Sequence, residues 1–218
     1  MNPLRFARVV ALLLAALLVS GAAPAADAIV EVAELQHGWE VIKYQTPEKQ
    51  QEKQYEGLAA KARKVSEANP GRAEPLVWEG IILSSWAGAK GGLGALSLAK
   101  QARNRYEEAI RIQPDVLDGS AYNSLGVLYY KVPGWPIGFG DHKKAAELLQ
   151  KALSINPNGI DPNFFYGEYL LEEGKAREAA AYLERALNAP PRPGREIADT
   201  GRREEARKLL DEARRKAG

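Results

Sequence analysis

The 218 residues contain no cysteine, two histidines and one methionine. Without cysteine, an oxidising compartment offers this chain no disulfide staple, no thiolate can complete a metal site, and there is no thiol to carry a lipid anchor. The histidines, His37 and His142, stand 105 residues apart with no HExxH spacing. Asp141 and His142 read as a helix N-cap and its neighbour rather than a catalytic dyad. An excess of one charge is missing too. There are 30 Lys plus Arg against 28 Asp plus Glu, and taking away Arg5 and Arg8 of the first 25 residues leaves 28 against 28. That balance makes no electrostatic case for nucleic acid or for anionic lipid. GAKGGLGAL, Gly88 to Leu96, lacks the Ser or Thr that a phosphate loop needs after Lys90, and no strand precedes it, so it reads as a flexible turn. Glu107 with Glu108, and Glu172 with Glu173, are sequence neighbours that point different ways on a helix and read as surface charge. The expectation is a protein that is not an enzyme, with no cofactor and no metal.

Long apolar runs are also scarce. The run Val9 to Leu18 follows Arg5 and Arg8 and precedes GAAPAADA, the three-part form of a secretory signal peptide. It is too short to span a bilayer, although an uncleaved anchor is the alternative reading. Residues 1–25 are therefore expected to be the signal, with cleavage after Ala25 or as late as Ala28. The mature domain, 29–218, is expected to be periplasmic, soluble, without a stable membrane anchor, and held by apolar packing alone.

What the chain does have is an internal period. Counting back from Pro70, Pro114, Pro157 and Pro191, five residues before stand Val65, Ala109, Ala152 and Ala186. Eight before stand Ala62, Tyr106, Leu149 and Leu183, and twelve before stand Leu58, Ala102, Ala145 and Ala179. These offsets place three residues on one helical stripe, which each proline then ends, helped at Asn69 and Asn156 by a residue that tolerates a left-handed cap. A second helix follows each of the first three prolines and carries Gly80, Gly126 or Gly167. A glycine inside a helix costs about 1 kcal/mol relative to alanine. Its recurrence implies a neighbouring helix too close for a side chain.

The unit YGEYLLEEGKAREAAAYLERALNAPP, Tyr166 to Pro191, resembles the tetratricopeptide repeat through Gly167, Leu170, Ala179, Leu183, Ala186 and Pro191. The interval from Pro157 to Pro191 is 34 residues, the period of that family. The resemblance implies an all-α superhelix of helical hairpins, with units at about 29–70, 71–114, 115–157 and 158–191. The linker RPGREIADTG, Arg192 to Gly201, then leads to a C-terminal capping helix over 201–216, whose arginines read as a solvated surface. Two units are overlong: Gly126 to Ala145 is 19 residues and Gly80 to Ala102 is 22, where Gly167 to Ala179 is 12. The surplus falls in VPGWPIG and in WAGAKGGLGAL, expected as two loops on one rim.

In the family the first helix of each unit forms the concave wall. By that correspondence Val77, Ile81, Ser84, Asn123, Val127, Tyr130, Phe164, Glu168 and Leu171 face inward, a largely apolar wall suited to an apolar segment or ligand. Trp135 and Phe139, in a loop stiffened by Pro133 and Pro136, are either displayed for a partner or folded back as core. The export signal, GWPIGFGD and NGIDPNFFYGEYLLEEG together resemble the T component of tripartite ATP-independent periplasmic (TRAP) transporters. That resemblance implies docking to a solute-binding subunit or shelter of an apolar ligand, with a homo-oligomer left open. A second reading is a cell-envelope assembly adaptor holding a partner helix. A third, ranked below both, is a hydrolase or lyase using the cavity.

Overall fold

The computed structural model describes residues 23–218, so the expected signal peptide lies outside the described residues up to position 22. Among the described residues there are nine helices and no strand: α1 Ala23–Gln45, α2 Glu48–Ala68, α3 Ala73–Lys90, α4 Gly92–Ile112, α5 Val116–Lys131, α6 His142–Ile155, α7 Ile160–Glu172, α8 Ala176–Asn188 and α9 Glu196–Ala217. The fold is an all-α superhelix of helical hairpins, α1 with α2 through α7 with α8, followed by α9.

Each of the four prolines lies two or three residues beyond the helix it ends, because the ring cannot continue the hydrogen-bond ladder and disfavours the helical conformation before it. The left-handed caps expected at Asn69 and Asn156 do not form: their φ angles are −122° and −131°. The positive φ at the first of these turns belongs to Gly71. The stripe of twelve proline-aligned residues is core. Eleven are buried and Leu58 is half-buried. The glycines beneath them do what their recurrence implied. A Cβ on Gly80 would stand 2.5 Å from the Tyr106 ring, and one on Gly126 or Gly167 would stand 2.8 Å from Leu149 or Leu183. The first unit follows suit, with Gly38 set against Leu58 at 3.0 Å.

The two overlong turns differ from expectation. WAGAKGGLGAL is not a loop: α3 runs on to Lys90 and α4 begins at Gly92, so the surplus lengthens both helices and the chain turns within Gly91 and Gly92, at φ 63° and 60°. Alanine and an unhindered Gly88 extend a helix once its neighbours hold it. VPGWPIG does build a loop, over residues 132–141. It meets the α4 extension, with Gly138 near Leu96 and Arg103 stacked 4.6 Å over the Phe139 ring. Both insertions therefore do share one rim. Asp141 ends the loop as a true N-cap, its carboxylate accepting from the Lys144 amide at 3.0 Å. Lys143 and Lys144 fill the first turn of α6, where no acidic residue stands. The helix dipole disfavours a cation there by about 0.3–1 kcal/mol each.

The odd-numbered helices form an inner layer in which α1 packs on α3, α3 on α5, α5 on α7 and α7 on α9. Helix α9 also touches α1, so the inner layer closes on itself. The closing helix starts at Glu196, five residues before the expected cap, and takes up half of the expected linker.

Candidate functional site

Closure decides what the concave wall can do. Gly201, buried in α9, lies so near α1 that a Cβ there would overlap the Tyr44 ring. The Tyr44 hydroxyl donates to Glu205 at 3.3 Å, and Lys43 reaches the same carboxylate at 3.4 Å. On the opposite side of the closure, Arg195 pairs with buried Glu40 at 3.4 Å and stacks over Trp78 at 5.1 Å. Arg202 reaches deepest. Its side chain is 8% exposed, its Nε donates to Asp161 at 2.9 Å, its Nη1 donates to Glu205 at 2.7 Å, and its guanidinium lies 4.4 Å from both the Phe164 and Phe165 rings. Arg192 completes the cluster, bridging Asp161 at 2.6 Å and Asp199 at 2.7 Å. Of the cap-helix arginines read from the sequence as solvated, Arg207, Arg214 and Arg215 are exposed, but Arg202 is buried and, with Arg192 and Arg195 of the expected linker, seals the two ends of the chain.

Burial alone would raise the Asp161 carboxyl, but Arg192 and Arg202 outweigh it and hold the group down to about 2, against an ordinary 3.8. A carboxylate with a depressed folded-state value stabilises the fold above its unfolded value and loses that contribution as pH falls through the folded one. We therefore expect about 2 kcal/mol from Asp161 at neutral pH, disappearing between about pH 4 and pH 2. Urea melts of the protein and of Asp161→Asn at about pH 5 should differ by that amount and should converge near pH 2. A gap that stays constant across this range would show that charge on Asp161 is not what stabilises the closure.

The wall residues expected to face an open hollow are distributed as follows. Val77, Asn123, Tyr130, Phe164 and Leu171 are buried, and Ile81, Ser84, Val127 and Glu168 are half-buried. Val77 is wholly enclosed in a cluster with Leu76, Ala109 and Val116, and Phe164 sits under Arg202. The greasy hollow is accordingly filled by the chain's own helices. The C-terminal ends of α5 and α7 are polar: Tyr130 donates to Glu168 at 2.5 Å, and Lys131 bridges Glu168 at 3.2 Å and also pairs with Glu172, while Lys43 of α1 pairs with Glu205 of α9. Burial and the adjoining Glu168 carboxylate both push the Tyr130 phenol well above its usual range, so it remains a donor.

The rim loop resolves its own ambiguity by splitting. Phe139 folds back edge-on against Tyr129 at 5.6 Å, beneath Arg103. Trp135 is 90% exposed and Ile137 is 68% exposed. The loop is ordered by its own backbone: Gly140 N–H donates to Pro133 at 3.0 Å, Ile137 and Gly138 donate to Gly134 at 3.1 and 3.0 Å, and Asp141 donates to Tyr129 at 2.8 Å. A side chain on Gly138 or Gly140 would overlap the carbonyls of Pro133 or Val132. The Trp135–Pro136 peptide is cis. Ile137 and the sealing pairs Arg195–Glu40 and Arg202–Asp161 were missed in the sequence. Gly201, ten residues beyond Pro191 as Gly80 is beyond Pro70, was the available signal for the closure.

Among the described residues no group of three or more His, Asp or Glu could hold a metal ion, and no helix is long and apolar enough to cross a membrane. A groove of about 460 Å³ lies between α8 and α9, lined by Glu184, Leu187, Arg207 and Arg214 and remote from the rim loop in the chain.

Residues 137–199 match the tetratricopeptide repeat family. Among solved structures, a thermophilic tetratricopeptide protein of Thermus thermophilus superposes with a TM-score of 0.52 at 20% identity, over 75% of this chain and 84% of that one. Looser overlaps are found with YrrB, described as having an unusual peptide-binding site (TM-score 0.41, 23% identity, 74% of this chain and 77% of that one). A MamA protein of Desulfovibrio magneticus gives 0.45 at 12% identity over 85% and 95%. No curated protein sequence matches. The Thermus structure and the repeat match agree with the helix arrangement on a tetratricopeptide-type fold.

Proposed function

We propose that the chain is an exported, periplasmic scaffold that holds a protein partner at the mouth of its inner helices, and that the partner is the solute-binding subunit of a TRAP transporter. One observation carries this reading. Closure by α9 leaves Ile81 and Val127 half-buried on the inner helices α3 and α5, and the same inner layer carries the mixed-sign pairs Lys131–Glu168 and Lys43–Glu205. Apolar centres rimmed by charges of both signs suit a folded protein surface, in which each charge finds a counterpart and fixes register. An apolar small ligand would need an enclosed cavity instead, and the chain's own side chains occupy that space.

The test is a photo-crosslinking residue placed at Val127 in cells that make the protein. The expected product is a covalent adduct with a periplasmic solute-binding subunit, lost when Glu168→Lys is added. An adduct with some other envelope protein would replace the transporter reading by that of an assembly adaptor. No adduct at Val127, with efficient adducts from a probe on the outer face at Arg207, would remove the mouth as the docking place.

A further inference from the structure

The inner layer is closed by one contact, and that contact is unlike the others. Elsewhere among the described residues each hairpin touches only the units before and after it, as stacked repeats do, whereas α9 against α1 joins the two ends of the array. We propose that this seam is a gate: the ring of inner helices parts between α1 and α9, and the wall takes up its protein partner in the parted form. The parting stands on the seam itself; the partner rests on the scaffold reading above.

Chemistry separates the seam from the joints on either side of it. Helix α1 packs on α2 and α3, burying Val32, Leu35 and Ile42, and its Trp39 donates to Ser85 of α3 at 2.8 Å and lies edge-on to Trp78 at 6.0 Å. Helix α9 packs on α7 and α8, burying Ala206, Leu210 and Ala213, and Arg202 ties it to Asp161. Across the seam stand one ring and a few charges: Tyr44 on Gly201, the Tyr44 hydroxyl and Lys43 on Glu205, and Arg195, the N-cap of α9, on Glu40. The Lys43 and Glu205 side chains are 39% and 30% exposed, so water competes for their pair and it holds weakly. Arg195 is an uneasy anchor as well. Its bond to Glu40 is 3.4 Å long, and burial, followed by the neighbouring Arg192, pushes its guanidinium down. Each side therefore keeps its own core when the seam parts.

The stacking supplies the motion. Because each unit rests on its neighbours alone, small rotations shared among the α1–α3, α3–α5 and α5–α7 joints add up at the ends, and no hairpin has to unfold. Parting lifts Arg195 from the Trp78 ring and Gly201 from the Tyr44 ring, uncovering aromatic faces of the kind in which protein interfaces are rich. A partner that binds those faces draws the equilibrium toward the parted form by its preference for it.

The chain has no cysteine, so a designed pair can lock the seam without rivals. A Cβ on Gly201 would lie 2.6 Å from Cγ of Tyr44. That Cγ is about 1.5 Å from its own Cβ, which puts the two Cβ atoms no more than about 4 Å apart, the span of a disulfide. Hydrogen exchange is followed by mass spectrometry in the full chain, in Tyr44→Cys with Gly201→Cys, oxidised and reduced, and in Lys43→Glu, which sets two carboxylates face to face. We expect α1 to exchange at least about tenfold more slowly in the oxidised pair than in the parent, Lys43→Glu to speed it about tenfold, and α6 to be unmoved throughout. Exchange in α1 that is the same in all of these proteins would overturn the gate.

The partner is read separately, by the photo-crosslinking residue at Val127 in periplasmic extract. Its adduct should be lost when the cysteine pair is oxidised and should return with dithiothreitol. An equal adduct in the oxidised protein would show that the partner binds the closed ring, and would overturn the gate's role. No adduct in either state, with α1 still slowed by the lock, would strike out the partner and uphold the parting of the ring.

Discussion

Arg202→Ala should cost about 3–5 kcal/mol of folding stability, the range seen when one member of a buried ion pair is removed. For a domain of this size that is roughly 10 °C in Tm. The guanidinium does three things at once: it pairs with Asp161 of α7, pairs with Glu205 of its own helix, and covers the Phe164 and Phe165 rings. Both abandoned carboxylates keep other cations, Asp161 with Arg192 and Glu205 with Lys43, which places the expected loss nearer the lower end. What they do not replace is the packing of the arginine stem and its flat face on the two phenylalanines. Denaturant melts of Arg202→Ala, Asp161→Asn and the double variant would separate these parts, because the ionic share appears as coupling and the stacking share does not. A loss below about 1 kcal/mol for Arg202→Ala would return α9 to the status of an ordinary solvated helix end.

The closure explains both what the sequence revealed and what it hid. The hairpins were legible because their signals are local. A proline that stops a helix acts on its immediate neighbours, and a stripe of Ala, Tyr and Leu at fixed offsets needs only one helix to show itself. Hence Gly80, Gly126 and Gly167 could be assigned a close neighbour before any coordinate was known, and the neighbours are Tyr106, Leu149 and Leu183. The sealing charges carry no such signal. Arg195 and Glu40 are 155 residues apart, Arg202 and Asp161 are 41 apart, and on its own helix each arginine looks like any residue of a charged surface. Burial of a charge is legible only with its partner in view.

Two further differences have the same origin. A glycine-rich stretch suggested a loop in WAGAKGGLGAL, yet helix propensity is a weak prior and packing of α3 against α4 overrides it, leaving two glycines of positive φ, Gly91 and Gly92, to make the turn. In the rim loop, composition showed stiffness but could not divide its two aromatics. The division follows from the bridge between Gly134 and Gly140, which turns Phe139 inward and leaves Trp135 at the apex. A wall that was apolar in sequence was read as open. In the structure its apolarity is that of a core, because α9 lies across it.

Gly201→Val tests that last point and should both destabilise and open the molecule. The Tyr44 ring occupies the space a side chain at 201 would need, and Tyr44 is held in place edge-on to Trp39 at 5.9 Å with its hydroxyl on Glu205. Overpacking at such a contact costs about 1–3 kcal/mol, to which a branched residue in place of a helical glycine adds little relief. Gly80→Val should cost a similar amount by colliding with the buried Tyr106 ring, but inside one hairpin, where nothing can swing away. The two variants therefore separate stability from closure. Small-angle scattering should show a larger radius of gyration for Gly201→Val and an unchanged one for Gly80→Val wherever the latter remains folded. Tyr44→Ala, combined with Gly201→Val, should restore the compact radius by making room for the new side chain. If Gly201→Val keeps both the stability and the radius of the parent, the contact between α9 and α1 is incidental, and the wall lined by Val127 and Glu168 is open in solution after all.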